Sequence, residues 1–122
     1  MANVLVVDDA AFMRLSIKQI LEAHGHVMIA EAADGKEAIL KYTEFKPDIT
    51  ILDITMPEMS GLEALAHIKE KDPKAKVVIC SALGQQEQLA KAIQLGAKDF
   101  IVKPFEPERM IAALNQVLEA NK

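Results

Sequence analysis

The sequence predicts an α/β domain with a doubly wound parallel sheet. Its short apolar runs lack the polar alternation of a one-sided sheet, so both faces of each strand are expected to be covered. These runs alternate with segments whose apolar residues recur every three or four positions, which is typical of amphipathic helices. Regular alternation of strands and helices defines this fold class.

The first half of the chain contains three predicted strands and two predicted helices. The strands are expected at residues 4–7, 27–30 and 49–52. Asp34 stands three residues before Glu37, as in a capping box, and so begins the second helix. Its inward face is expected to comprise Ala38, Ile39, Tyr42 and Phe45.

The second half of the chain continues this alternation. Ser60 and Glu63 form another capping box, which predicts the third helix. The remaining elements are a strand, a helix, a strand and a helix, expected at residues 77–80, 86–95, 100–102 and 110–118. In the fourth helix, Leu89 and Ile93 are expected to point inward, and Gly96 is expected to end the helix.

Length and composition limit the class of protein. The 122 residues suit one domain over residues 1–122. Lys and Arg number 14 against 18 Asp and Glu, and no basic block marks a nucleic-acid surface. No apolar run approaches the ~20 residues that span a bilayer, and no signal peptide is visible. Cys80 is the only cysteine, so we expect no disulfide, no cysteine metal site and a reduced cytoplasmic protein. We also expect the chain to be a monomer.

Candidate site residues follow the strands, because ligands of open parallel sheets bind beyond the carboxyl ends of the strands. Five polar residues occupy these positions: Asp8, Asp9, Asp53, Ser81 and Lys103. Asp is common in loops, so a single one would carry little weight, but five at one edge form a consistent site for a metal ion and an anion. Glu31 and Ala32, which end the second strand, are expected to lie outside the site.

The three carboxylates repel one another unless a cation compensates. Lys103 supplies one positive charge, and Mg²⁺ suits a site with oxygen ligands alone. Such a site supports phosphoryl transfer, with Asp53 on the middle strand as the predicted acceptor and Asp8 and Asp9 as metal ligands. Lys103 would pair with a phosphoryl oxygen, and the Ser81 hydroxyl would donate to another.

Four segments form a specific pattern, at residues 6–9 (VVDD), 52–61 (LDITMPEMSG), 81–82 (SA) and 103–105 (KPF). With them, the whole chain resembles the receiver domain of bacterial two-component response regulators. Within that family it is similar to stand-alone CheY-type chemotaxis regulators of Gram-positive bacteria and Thermotoga.

The resemblance implies a flavodoxin-like fold with strand order 2-1-3-4-5. It implies that a phosphohistidine on a sensor histidine kinase phosphorylates Asp53. Mg²⁺ would be held by Asp9, Asp53 and the backbone carbonyl of Thr55. Asp8 would act largely through water. The Lys103–Pro104 peptide bond is expected to be cis.

Ser81 and Phe100 match the switch pair of the family. On phosphorylation Ser81 would move toward the phosphoryl group and Phe100 would turn inward, which repacks the partner face of the fourth helix, fifth strand and fifth helix. The implied partners are a chemotaxis kinase, a flagellar motor switch protein and a phosphatase. The chain would be a switch rather than an enzyme, assisting its own phosphorylation and slow dephosphorylation.

Two positions depart from many chemotaxis members of the family. Phe100 lacks the hydroxyl of the Tyr found there. Leu83, two residues after Ser81, replaces a polar residue that helps to place the attacking water in members that dephosphorylate fast. We therefore predict that Leu83 slows dephosphorylation.

Two other classes of protein are alternatives. The first is a receiver separated from the DNA-binding output domain of a transcriptional regulator. A downstream helix-turn-helix domain would identify it, whereas an end at residue 122 favours a stand-alone regulator. The second is an aspartate-nucleophile phosphatase, which needs a second Asp two residues after the nucleophile as general acid; here that position is Thr55. A nucleotide-binding site is not favoured, since no P-loop follows the first strand.

Other residues have a structural interpretation. His24 and His26 are expected at an exposed helix end and strand start rather than in a metal site. Cys80 is expected to be a buried small hydrophobe, and Met56 and Met59 are expected to pack over the site. A solvated face, which an acidic partner could also use, is predicted for Lys69, Lys71, Lys74 and Lys76.

Overall fold

The computed structural model describes residues 2–54, 56 and 60–119. Within these residues five parallel strands form one sheet, and five helices cover it. The strands are β1 (Asn3–Val7), β2 (Val27–Ala32), β3 (Ile49–Asp53), β4 (Val77–Ala82) and β5 (Asp99–Lys103). The helices are α1 (Ala11–Ala23), α2 (Gly35–Phe45), α3 (Gly61–Lys71), α4 (Gln86–Gln94) and α5 (Pro107–Glu119). The strand order β2-β1-β3-β4-β5 confirms the predicted flavodoxin-like topology.

The sheet separates two apolar layers. Successive side chains of a strand point to opposite faces, so Val4 and Val6 of β1 enter the layer beneath α1 and α5. Leu5 and Val7 enter the layer beneath α2, α3 and α4. Covering both faces explains why the strands read as continuous apolar runs. No helix in the described part of the chain is long and apolar enough to cross a membrane.

Both predicted capping residues cap their helices, through the N-cap half of each capping box. The Asp34 carboxylate accepts a hydrogen bond from the Glu37 backbone N–H at 2.8 Å. The Ser60 hydroxyl accepts one from the Glu63 backbone N–H at 3.3 Å. Each satisfies a backbone donor that the first turn of a helix leaves without a partner.

The inward faces of two helices differ from the prediction. Ile93 is 45% exposed and Phe45 is 39% exposed, so the expectation that both point inward was wrong. In α4 the fully buried residue is Ala92, whose small side chain lets the helix approach the sheet closely, while Leu89 packs beside it. Ile93 is the next residue along and is therefore turned toward solvent, because successive helical residues are rotated by about 100°.

His26 is buried rather than exposed. Its Nδ1 accepts a hydrogen bond from the Ala2 backbone N–H at 3.1 Å, which ties the start of β2 to the chain before β1. Burial lowers the pKa of His26 below its ordinary 6.5, and the nearby His24 adds to the effect. His24 is exposed as predicted. Cys80 is buried as predicted, and burial raises the pKa of its thiol to about 12.

Lys69 departs from the predicted solvated lysine face. Its ammonium donates to the backbone carbonyls of Pro73 at 2.7 Å and Ala75 at 3.1 Å, so it fastens the loop between α3 and β4. Lys71 and Lys74 are exposed, as predicted. The expectation was wrong for Lys69 because carbonyls of the following loop lie within hydrogen-bond distance of its ammonium, which spacing along the sequence does not show.

Candidate metal and phosphoacceptor site

Three aspartates meet at the carboxyl edge of the sheet. Asp8 follows β1 and Asp53 ends β3, and both are buried, whereas Asp9 is exposed. One carboxylate oxygen from each of the three lies within 4.8 Å of the others. The structure thus brings together all three carboxylates that the sequence analysis selected.

Lys103 of β5 reaches two of these carboxylates. Its Nζ lies 2.7 Å from Asp8 Oδ2 and 3.6 Å from Asp53 Oδ2. Burial acts to lower the pKa of Lys103, but the hydrogen bond to Asp8 and the negative charge of Asp53 outweigh it, so the pKa is raised. Lys103 is therefore a fixed cation beside Asp53. The Lys103–Pro104 peptide bond that follows is cis, as expected.

Asp8 uses both carboxylate oxygens within the protein. Oδ1 accepts from the Ala10 backbone N–H at 2.9 Å, and Oδ2 accepts from Lys103. Its backbone N–H donates to the Ala32 carbonyl at 3.0 Å. Asp9 carries an exposed carboxylate on the same turn. These bonds leave Asp9 better placed than Asp8 to contact a cation directly.

Arg14, which the sequence pattern did not single out, contacts both Asp8 and Glu31. The Arg14 guanidinium donates to the Asp8 backbone carbonyl at 2.5 Å and to Glu31 at 2.6 Å. Glu31 and Ala32, expected to lie outside the site, therefore both connect to Asp8. Arg14 is 17 residues from Glu31 and on another element, so helix or strand periodicity carries no signal for this contact.

Gly61, the first residue of α3, packs against the backbone of Asp53. Its N–H donates to the Ile54 carbonyl at 2.7 Å. A Cβ at this position would lie 2.1 Å from the Asp53 carbonyl oxygen, far inside van der Waals contact. The missing side chain lets α3 begin directly behind the candidate phosphoacceptor.

The proposed switch residues lie on neighbouring strands. Ser81 is buried and pairs with Val102 in the β4–β5 register, while Phe100 pairs with Ile79 and is 37% exposed. A small cavity of ≈ 50 Å³ is lined by Ser81, Val102 and residues of α4 and the loop before it. The cavity therefore lies beside Ser81 and Val102, and Val102 is two residues after Phe100 on β5.

Other predicted residues have mixed outcomes. Met56 is buried and belongs to the apolar layer beneath α2, α3 and α4, so it is a packing residue. Leu83 is 79% exposed in the loop after β4. Thr55, whose carbonyl is an expected metal ligand, and Met59 lie outside the described residues.

The response regulator receiver domain family matches residues 4–115 of the chain. The chain belongs to this family and is a receiver domain of a two-component response regulator. It is 55% identical to the chemotaxis protein CheY of Thermotoga maritima over 115 residues. The aligned region covers 94% of this chain and 96% of that relative.

Solved structures show the same fold. The CheX-CheY-BeF3-Mg²⁺ complex from Borrelia burgdorferi matches with a TM-score of 0.90 and 41% identity, over 94% of this chain and 87% of that chain. NtrX from Brucella abortus matches with a TM-score of 0.90 and 35% identity over 98% of this chain. This chain spans only 27% of the length of NtrX.

Proposed function

We propose that this chain is a phosphoacceptor switch in which Asp53 receives a phosphoryl group from a phosphohistidine of a sensor histidine kinase. One observation carries the proposal. The Asp53 carboxylate ends the central strand, has carboxylate oxygens of Asp8 and Asp9 within 4.8 Å, and lies 3.6 Å from the Lys103 ammonium. An acceptor flanked by a cation site and a fixed cation is what phosphoryl transfer requires.

The donor set fits Mg²⁺. It consists of carboxylate oxygens, and the exposure of Asp9 leaves room for water ligands. Asp9 and Asp53 would hold the ion directly, and Asp8 would act through water because both of its oxygens have protein partners. The Thr55 carbonyl is a further proposed ligand. The ion would neutralise phosphoryl oxygens during transfer.

The transfer itself needs only groups named above. An Asp53 carboxylate oxygen attacks phosphorus in line, so that an O–P bond forms as the P–N bond to the histidine breaks. The electron pair of the broken bond stays on the imidazole nitrogen, which the kinase or solvent protonates. Lys103 pairs with a phosphoryl oxygen, and the Ser81 hydroxyl donates to another. The product is an aspartyl phosphate, which the chain hydrolyses slowly.

The output of this switch is binding to another protein, and we propose the flagellar motor switch. The 55% identity to a chemotaxis protein CheY supports this choice. Phosphorylation replaces the single negative charge of the Asp53 carboxylate with about two on the phosphoryl group, and the movement of Ser81 lets Phe100 turn inward. Phe100, Ile93 and Leu95 are each exposed apolar residues of the α4–β5 segment, which supports an apolar partner face there. The kinase and a phosphatase would be further partners in the cytoplasm.

A second candidate is the receiver part of a longer transcriptional regulator. The match to NtrX, of which this chain spans 27%, supports it. Reading the natural coding sequence past residue 122 discriminates the two. A stop codon there supports the stand-alone regulator, and a helix-turn-helix domain supports the second candidate.

Beryllofluoride titration with Mg²⁺ tests the phosphoacceptor function, because this complex mimics a phosphoryl group on a carboxylate. We expect NMR shifts at Asp53, Ser81 and Phe100 that need Mg²⁺ and are lost in Asp53→Asn. Asp99→Asn removes a carboxylate at the opposite end of β5 and should respond like wild type. A wild-type protein without a Mg²⁺-dependent response would overturn the proposal.

A further inference from the structure

Arg14 connects three elements beside the aspartate cluster. It belongs to α1, its Nη1 donates to the carbonyl of Asp8 after β1, and its Nε donates to Glu31 of β2. Its side chain is only 15% exposed, whereas that of Glu31 is 49% exposed. One guanidinium thus serves two acceptors in fixed directions, which its planar fork allows.

The carbonyl that Arg14 holds belongs to the peptide unit between Asp8 and Asp9. That unit is planar, so fixing the direction of its oxygen also fixes the direction in which the chain enters Asp9. The Asp8 N–H is held by Ala32 and the Asp8 carboxylate by Ala10 and Lys103. The Asp9 carboxylate is the exposed member of the cluster, so its position depends on the backbone that Arg14 holds.

We propose that Arg14 and Glu31 are a positioning pair that sets the affinity of the aspartate cluster for Mg²⁺. The pair does not contact the ion. Glu31 orients the guanidinium, the guanidinium fixes the Asp8–Asp9 peptide, and the peptide directs the Asp9 carboxylate toward the cluster. This inference rests on the metal site of the proposed function.

Charge alone predicts the opposite effect for Arg14. Removing a positive charge near three carboxylates should strengthen the binding of a cation, since like charges repel. Removing a positioning group should weaken Mg²⁺ binding, because the Asp9 carboxylate is no longer held in the binding geometry before the ion arrives. The sign of the change in Mg²⁺ affinity on losing Arg14 therefore separates positioning from electrostatics.

The experiment is a Mg²⁺ titration followed by the NMR shifts of the Asp9 and Ala10 backbone amides. Arg14→Gln removes the charge, and Arg14→Lys keeps the charge but replaces the fork with a single ammonium. We expect both variants, and Glu31→Gln, to bind Mg²⁺ about tenfold more weakly than wild type, as is usual when a group that orients a metal ligand is lost.

Arg109 provides a matched control. It lies on α5, donates to the Phe100 carbonyl at 2.8 Å and stands 3.7 Å from Asp99. Like Arg14, Arg109 contacts one backbone carbonyl and one carboxylate, but it does so away from the cluster of Asp8, Asp9 and Asp53. Arg109→Gln should therefore bind Mg²⁺ as wild type does. Amide shifts of the β4 residues, recorded in the same spectra, show that each variant is folded.

Wild-type affinity in Arg14→Lys, or tighter binding in Arg14→Gln, would overturn the positioning role and leave the proposed function intact. No Mg²⁺ binding by the wild-type protein would instead overturn the proposed metal site and the positioning role with it. Weaker binding in both Arg14 variants, with an unchanged Arg109→Gln control, supports the inference.

Discussion

Asp8 shows how much a single residue can contribute to a site. It is 2% exposed, and its backbone and side chain bond to Ala10, Arg14, Ala32 and Lys103. A charge buried this deeply is tolerated only with such partners. The position of Asp8 after an apolar run predicts that it belongs to the site, and its bond to Ala10 is local. Its other partners lie on α1, β2 and β5, and no local sequence signal predicts those contacts.

Leu83 offers a test at the level of one side chain. It is 79% exposed in the loop two residues after Ser81, so a polar replacement can reach the water beside the phosphorylated site without repacking the core. We expect Leu83→Glu to shorten the lifetime of phosphorylated Asp53 several-fold, measured as loss of the phosphoryl group after labelling with acetyl phosphate. Leu40→Glu alters a leucine of α2 that is 69% exposed and should leave the lifetime unchanged. Equal lifetimes for Leu83→Glu and wild type would contradict the prediction.

His26 couples the stability of the fold to pH. Its pKa in the folded protein lies below 6.5, mainly because of burial, so between the two values the unfolded chain binds more protons than the folded one. The free energy of unfolding should therefore fall as the pH drops below about 6.5 through the folded pKa, and this contribution is fully present at higher pH.

Urea unfolding at a series of pH values from about 7 to about 5 measures this effect. His26→Gln should lose less stability over this range than wild type. The matched variant His67→Gln alters an exposed histidine of α3 and should follow the wild-type curve. Parallel curves for His26→Gln and wild type would show that His26 does not carry the effect.

At the scale of elements, local patterns predict most of the structure. The prediction that Asp34 and Ser60 cap helices is confirmed, because their hydrogen bonds span three residues and need no tertiary contact. The prediction of the inward face of α4 was wrong at Ile93. Whether Ala92 or Ile93 faces the sheet depends on how closely the helix approaches it. That distance is a property of two packed elements, which periodicity within one helix does not contain.

The junction between β3 and α3 depends on Gly61. In Gly61→Ala the added methyl would meet the Asp53 carbonyl at 2.1 Å, so α3 or the end of β3 must move. We expect a loss of about 1–3 kcal/mol in the free energy of unfolding, typical of overpacking, and weaker Mg²⁺ binding through displaced Asp53. Urea unfolding and the Mg²⁺ titration measure the two effects.

Gly84→Ala is the control for this variant. Gly84 has a φ of +89°, but nothing lies within 4 Å of an added Cβ, so only backbone strain opposes the substitution. It should cost about 1–2 kcal/mol and leave Mg²⁺ affinity at the wild-type value. Unchanged Mg²⁺ affinity in Gly61→Ala would show that the contact with Asp53 does not position its carboxylate.

At the scale of the whole molecule, the arrangement of charge matters more than the net −4. Three of the 18 acidic residues converge at one edge of the sheet, where Lys103 lies within ion-pair distance of two of them, Asp8 and Asp53. Without a second cation the folded state therefore retains repulsion that the unfolded chain does not have. The stability of the entire fold should then depend on Mg²⁺.

The melting temperatures of wild type and Asp53→Asn are expected to cross as Mg²⁺ is added. Without metal, Asp53→Asn should be the more stable, since it removes one repelling charge while Asp8 keeps its 2.7 Å bond to Lys103. With metal, wild type should gain about 2.7 kcal/mol at a concentration of 100 times the dissociation constant, and Asp53→Asn should gain less. NaCl at matched ionic strength controls for screening and should produce no crossing. Parallel melting curves across the titration would mean that the cluster does not bind Mg²⁺ through Asp53, because a ligand that binds only the folded state must raise its stability.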